Sequence, residues 1–213
     1  MTKEIAPVRS LVDKLGQGQM QKAIASSLPA HIPAEKFIRA ASSLIQNSDA
    51  AVWLNTNKVT QKSVLQACTK AAQDGLLLDG KESALVKFGS EATYMPMVQG
   101  ILKKARNSGK ISKIDAVIVH QNDPFKYNPA EDDVPNHNPD WFSDRGQMIG
   151  AYAVAKLNDG TTVVEVMSKA QIMVIAADSR NTAQYNGKHA GEWWRKTVLR
   201  RICKYLPSST DLD

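Results

Sequence analysis

The stretch from Glu192 to Pro207 carries the most pronounced chemistry in this chain. Arg195, Lys196, Arg200, Arg201 and Lys204 are set among Trp194, Val198, Ile202 and Tyr205, which repeat at helical spacing. A helix of this pattern packs one face and holds positive charge on another. Lys196, Arg200 and Lys204 step by four and share one side. Cations ranked along a packed helix suit a polyanion better than a small neutral substrate; the alternative is an ordinary solvated helix face. A second basic stretch holds Lys87, Lys103, Lys104, Arg106, Lys110 and Lys113 against one acid, Glu91. The loop between the two is acidic, with Glu131, Asp132, Asp133, Asp140 and Asp144.

Covalent chemistry finds little support. The chain has no Gly-x-x-x-x-Gly-Lys-Ser/Thr phosphate loop, and Gly16-Gln17-Gly18 is too short and lacks a preceding strand. This argues against an ATP-driven recombinase or helicase. His31, His120, His137 and His189 show no metal-ligand spacing. A metal-dependent nuclease needs clustered carboxylates; Asp115, Asp123 and Glu165 are the candidates, and their separations match no tight motif. No serine sits in a nucleophile elbow. The expectation is a protein that is not an enzyme and needs no cofactor. Aromatic residues do accompany the charge: Tyr94, Trp141, Phe142, Trp193, Trp194 and Tyr205. Such rings can stack on unpaired bases. Trp194 and Tyr205 read as core anchors of the last helix, Tyr94 is open between the two roles, and Trp141 and Phe142 read as covering a groove or touching a neighbouring subunit.

The elements that must position these residues follow from the apolar pattern. The 213 residues, 43% hydrophobic and 23% charged with a formal net charge of +6, fit a globular domain with an anionic partner. Residues 1–18 read as a mobile arm or a short marginal helix. Helices are expected over Gln19 to Leu28, from Pro33 through Ile45, and from Thr60 to a left-handed stop at Gly75. Ala84 to Phe88 and Ala92 to Met95 suggest a hairpin, followed by a helix from Met97 to Ser108 whose stripe of Gln99, Lys103, Arg106 and Lys110 points away from the packed side. Ile111 to His120 alternates with two rather apolar faces, which predicts a central strand. A long polar loop, 121–147, precedes a strand over Met148 to Leu157. Asn158-Asp159-Gly160 signals a hairpin into Thr161 to Met167. Ser168 with Gln171 makes a capping box for a short helix to Ala176, and Pro207 stops the last helix. Cys68 and Cys203 read as buried reduced thiols. Met1 to Pro7 lacks the apolar core of a signal peptide, and no run has the apolar length of a membrane helix, so a cytoplasmic protein with no membrane partner is expected. The order of elements predicts an α+β fold, a small mostly antiparallel sheet packed with helices behind an N-terminal helical region. The expected division is 1–78 for the arm and helical region, which makes subunit contacts, 79–207 for the α+β core and 208–213 for a short tail, all in one continuous domain.

Three stretches then stand out together: Tyr94 to Ile111 (YMPMVQGILKKARNSGKI); Gly150 to Gly160 (GAYAVAKLNDG) with Glu165 to Lys169 (EVMSK); and Arg195 to Pro207 (RKTVLRRICKYLP). In this order, within Leu28 to Pro207, the chain resembles the RecT family of bacteriophage single-strand annealing recombinases. The resemblance implies ATP-independent annealing of complementary DNA strands in homologous recombination, rings or helical filaments on DNA, and a core related to the annealing-protein fold of Redβ and Rad52. Strands of successive subunits would line up into a continuous basic groove for single-stranded DNA and the annealed duplex intermediate. A phage exonuclease would supply the single strands, and magnesium would act only through the DNA. Carried over by position, the DNA-binding residues would be Lys103, Lys104, Arg106 and Lys110, then Lys156 and Lys169, then Arg195, Lys196, Arg200, Arg201 and Lys204. Lys87, Tyr94 and Gln99 complete the expected set. Family members usually continue past the Leu206-Pro207 equivalent into a segment that looks like a docking region for host single-strand-binding protein; this chain stops at Asp213, its tail either naturally short or cut, so docking to that partner stays open. Three alternatives stand beside this reading: a passive single-stranded nucleic-acid-binding module, a metal-dependent nuclease, and a role for Arg195 and Lys196 in pairing with Asp132 or Asp133 of a neighbouring subunit.

Overall fold

The computed structural model describes residues 6–179 and 182–207. The chain divides into two compact units, Met1–Lys104 and Ala105–Asp213. Together they make an α+β fold of helices and small antiparallel sheets, with helices at the N-terminal end.

The first unit begins with α1 (Ala6–Gly16), α2 (Gly18–Ser27), α3 (Ala34–Asn47), α4 (Asp49–Asn55) and α5 (Gln61–Gln73). Of the two readings of residues 1–18, the short helix holds over Ala6–Gly16, but it is a packed element of the core rather than a marginal one. Val8, Leu11 and Leu15 lie at helical spacing, are buried, and belong to one core cluster with Ile24, Phe37, Ile45 and Cys68. The first residues of the expected arm, 1–5, lie outside the described residues. Sequence reasoning also missed α4, which is short; Ser48 caps it by accepting from the Ala50 N–H at 3.2 Å. Thr60 caps α5 in the same way through the Ser63 N–H. Gly75 closes α5 as expected with φ +63°, and a Cβ there would also come 2.8 Å from Pro29 Cγ. Strands β1 (Ser83–Phe88) and β2 (Glu91–Pro96) form the expected hairpin, with Leu85 opposite Tyr94. Ser63 Oγ accepts from the Ala92 N–H at 3.0 Å, which ties the hairpin to α5. Helix α6 (Val98–Asn107) follows.

The second unit is built on β3 (Ile111–His120), β6 (Met148–Leu157) and β7 (Thr162–Ser168), all antiparallel in the order β3-β6-β7. The loop between β3 and β6 contains two short paired strands, β4 (Phe125–Lys126) and β5 (Asn136–His137). Helix α7 (Lys169–Ala177), a 3-10 turn over Thr182–Tyr185 and α8 (Ala190–Ile202) complete it. The strand expected to be central, β3, is an edge strand, and β6 is the central one. β3 is apolar on both faces because α8 packs on one, and on the other Val117 stands beside Tyr152 of β6, against which Phe125 of the loop packs. On the first face Ile114, Ala116 and Ile118 stand opposite Ala155, Ala153 and Ala151. The alanines leave room for α8 to approach closely, and Trp194, Val198 and Ile202 are buried there. Gly191, in the first turn of α8, lies against Ile118 and Met148. The capping box of α7 forms as predicted, with Ser168 and Gln171 bonding reciprocally. The last helix ends at Ile202, several residues before Pro207, and the expected tail 208–213 lies outside the described residues.

Leu11 is fully buried. Replacing a fully buried leucine by alanine removes its transfer energy and leaves a cavity, at a cost of about 2–5 kcal/mol. We therefore expect Leu11→Ala to lower the unfolding free energy by that amount in urea denaturation, whereas an effect below about 0.5 kcal/mol, the usual surface value, would return α1 to the status of an arm.

Candidate nucleic-acid interface

Helix α8 separates packing from charge. Trp194 is buried and its indole N–H donates to the Tyr185 carbonyl at 3.0 Å, so its predicted role as a core anchor is correct. Tyr205, predicted to be the second anchor, is 65% exposed; the helix has ended before it, and Leu206 takes the buried position instead. Of the five cations, Arg195 pairs with Glu192 and Arg201 with Glu165 of β7 at 2.9 Å. Lys196 lies 4.8 Å over the Trp193 ring. Its pKa is lowered, first by burial and then by neighbouring Arg200. Arg200 and Lys204 are exposed and have no carboxylate partner among the described residues.

The first basic block divides. Lys103 donates to Glu82 at 2.8 Å, and Lys104 to Asp74 at 2.8 Å. Asp74 also accepts from the Tyr94 hydroxyl at 2.8 Å. Burial, with Asp74 second, pushes the Tyr94 pKa up and keeps the phenol protonated. The expected outward stripe of α6 is therefore broken: Gln99, Arg106 and Lys110 are exposed, but Lys103 is turned into an ion pair. Lys87 donates to the Gly89 carbonyl at 2.8 Å. Arg106 lies close enough to Cys203 to pull against burial, which raises that thiol to about 11. Cys203 is only half-buried, in contrast to Cys68, whose full burial raises its thiol to about 12.

These contacts give α8 a direction. It starts against Ile118 and Met148 and ends beside Arg106, one short turn before Ile111. Its C-terminal cations therefore reach the end of the sheet where β3 begins and β6 ends. At that end Lys110 is exposed, and Lys113 stands directly opposite Lys156 on the face turned away from α8. Like charges directly opposite one another on neighbouring strands destabilise a sheet, and among the described residues only Lys113 of the two has a neutralising partner, Asp115 at 2.8 Å. Sequence reasoning passed over Lys113 as a site residue; the period-2 alternation of β3 would have shown that it shares a face with Asp115 and Val117. Lys169 stands exposed in the first turn of α7.

The carboxylates weighed for metal chemistry are each engaged with a different cation: Asp115 with Lys113, Glu165 with Arg201, Asp123 with Arg145. Asp123 is the most constrained. Its side chain is 1% exposed and accepts from Arg145 at 2.7 and 2.8 Å, from the His120 N–H at 2.6 Å and from His137 Nε2 at 3.0 Å. His137 Nδ1 reaches the Tyr152 hydroxyl at 3.2 Å, and Phe125 packs against both rings. His120 is driven towards its neutral form by burial first and by Arg145 next. The bonds from Arg145 outweigh burial and hold Asp123 well below the usual carboxylate range.

A basic helix and strand end on an ungated surface, over a core of helices on an antiparallel sheet, fits a protein that handles a polyanion. The model of the RecT family matches residues 35–213. This chain belongs to the RecT family. It is 30% identical to protein RecT of Escherichia coli K12 over 214 residues, covering 95% of this chain and 77% of that protein. RecT-family membership makes it a protein of DNA recombination and single-strand annealing. Among the described residues no helix is long and apolar enough to cross a membrane.

The geometry of Asp123 fixes a pH dependence. A carboxylate whose pKa is depressed on folding adds stability above its unfolded value, about 3.9, and that contribution is lost as pH falls below it towards the depressed value. Breaking a buried pair by removing one charge costs about 3–5 kcal/mol. Asp123→Asn is therefore expected to melt well below the native protein at pH 7, with the gap narrowing below about pH 4. A gap that stays constant from pH 7 to pH 3 would show that the charge of Asp123 is not what anchors the loop.

Proposed function

We propose that this protein anneals complementary DNA strands without a nucleotide cofactor, holding them by their phosphates along the basic end of the second unit in an assembly of several copies. The observation that supports this reading is the approach of the two basic sequence blocks: Arg106, from the end of α6, lies within electrostatic reach of Cys203, which caps the C-terminal end of α8. Lys110 and Lys156 extend the same end of the sheet, with Lys113 added to the residues expected from sequence. In this reading Arg106, Lys110, Lys113, Lys156, Arg195, Lys196, Arg200 and Lys204 make the phosphate contacts. Lys103, Lys104, Tyr94 and Arg201 hold the scaffold through their internal partners.

Contacts to phosphates position a strand but carry no sequence information. A strand gripped this way keeps its base edges free for a complementary strand. Stacking and pairing of the new duplex then supply the free energy, so no phosphate-cleaving site is required. The protein lowers the repulsion between two polyanions and keeps them in register. Single strands from an exonuclease would be the substrate, in the cytoplasm, and magnesium would act through the DNA.

The test is a fluorescence-quench assay with two complementary oligonucleotides added in sequence without ATP across a salt series. Pairing well above the spontaneous rate with intact oligonucleotides is the expected result. Binding without acceleration would leave a passive coat protein, and shortened oligonucleotides would reveal a nuclease. Each phosphate contact to a single strand adds about 0.7 to the slope of log K against log salt. The triple change Lys196→Ala, Arg200→Ala and Lys204→Ala should flatten that slope by about 2; an unchanged slope would remove α8 from the interface.

A further inference from the structure

Two exposed apolar features of the second unit lie outside the set of phosphate contacts proposed above. One is the tip of the 121–147 loop, where Trp141 is 66% exposed and Phe142 fully so. The tip is firmly built. Asp140 accepts from the Phe142 N–H at 3.0 Å and from the Ser143 hydroxyl. Arg145, clamped by buried Asp123, lies 4.6 Å from the centre of the Trp141 ring. The other feature is α7. Ile172 and Ala176 are buried, yet Val174 is 69% exposed and Ile175 is exposed beside it. A helix apolar on every side is normally covered, and exposed apolar patches on a folded unit mark contact sites. The one charge on α7 is Lys169 in its first turn, the end where the helix dipole favours a carboxylate.

Charge decides what the loop meets. Once Asp123 and Arg145 cancel, Glu131, Asp132, Asp133, Asp140 and Asp144 face only Lys126 within the loop. A DNA strand stacked on Trp141 would bring its phosphates beside Asp140 and Asp144, which repel them. The chain as a whole is nevertheless +6, so everything outside this loop is strongly basic. The loop is complementary in sign to the protein that carries it.

We infer that Trp141 and Phe142 of one copy seat on the exposed face of α7, at Val174 and Ile175, of a second copy, with Asp140 and Asp144 turned towards Lys169. Aromatic and aliphatic surfaces meet at the centre and opposite charges at the rim, as in specific interfaces. Because the two patches differ, the contact is head-to-tail and repeats into a ring or a filament rather than closing as a symmetric pair. The inference rests on the assembly proposed above and names its contact.

The experiment uses two full-length variants, Trp141→Ser with Phe142→Ser on the tip and Val174→Asp on the helix, both checked for native circular dichroism and melting. In sedimentation velocity the native protein should assemble, and each variant alone should remain monomeric. Each should bind an oligonucleotide long enough for one subunit within twofold of the native affinity. An equimolar mixture should form a one-to-one dimer, because the tip variant keeps an intact α7 and the α7 variant keeps an intact tip. Assembly of either variant as in the native protein, a monomeric native protein, or no dimer in the mixture would overturn the inference. Loss of short-oligonucleotide affinity in the tip variant with assembly intact would overturn it too, and would place bases on Trp141. Failure of the annealing reading is separate: a native protein that assembles through this contact but does not accelerate strand pairing.

Discussion

The cations of α8 depend on how closely that helix lies on the sheet. Ala151, Ala153 and Ala155 of the central strand present almost no side chain beneath it, and Trp194, Val198 and Ile202 fill the space above. Each large apolar side chain buried in this way stabilises the fold by about 1.5–3 kcal/mol, and the indole N–H of Trp194 is satisfied by the Tyr185 carbonyl. That packing fixes the rotation of the helix about its axis. The rotation, in turn, leaves Arg200 and Lys204 no inward route. A larger residue at Ala153 would lift the helix and turn these cations with it, so the charge of the surface is set from underneath, by alanines that carry none.

The same unit solves a second problem with a buried charge. A 27-residue connection between β3 and β6 is long for a compact domain. Ordering so many residues costs conformational entropy at each one. Asp123 recovers order by gathering four donors from both ends of the loop: the His120 N–H before it, His137 in its middle and two from Arg145 near its close. Tyr152 extends the network onto the sheet through His137. A carboxylate this buried is tolerable only because both of its oxygens accept hydrogen bonds and an arginine neutralises its charge. The network extends outward through Arg145, whose guanidinium lies 4.6 Å from the centre of the exposed Trp141 ring.

Much of this was legible in the sequence. The hairpins at Gly89 and Gly160, the capping box of Ser168, the left-handed stop at Gly75 and both long strands rest on local rules, and local rules act within a few residues. What escaped notice depended on distant partners. The α1 stripe of Val8, Leu11 and Leu15 looked weak because only three positions define it, and its value appears when α3 and α5 close over it. Strand β3 read as central because nothing in its own residues reveals which neighbour it lacks. Asp123 reads as a candidate metal ligand from its place beside a strand and is a structural anchor, because its partner Arg145 lies 22 residues away. Tyr205 follows the helical period of Trp194, Val198 and Ile202 but lies past the end of the helix, so the period no longer applies.

The distinction that matters to a polyanion is between cations and uncompensated cations. Lys103 and Lys104 are as basic in composition as Arg200 and Lys204, and they sit in a more suggestive motif. Each, however, faces a carboxylate at 2.8 Å, and the pair presents almost no net field at the range over which a phosphate first senses the surface. Screening in physiological salt confines that range to about 8 Å, so the carboxylate and its lysine are felt together. A phosphate that displaced Glu82 or Asp74 would also leave a half-buried carboxylate without its partner, which costs more than the exchange returns. Arg106, Arg200 and Lys204 carry no such penalty. Their charge is exposed and unopposed among the described residues, and a polyanion that neutralised it would relieve the repulsion from Arg200 that, after burial, lowers the pKa of Lys196. Binding and local stability therefore act in the same direction at the end of α8 and in opposite directions along the first half of α6.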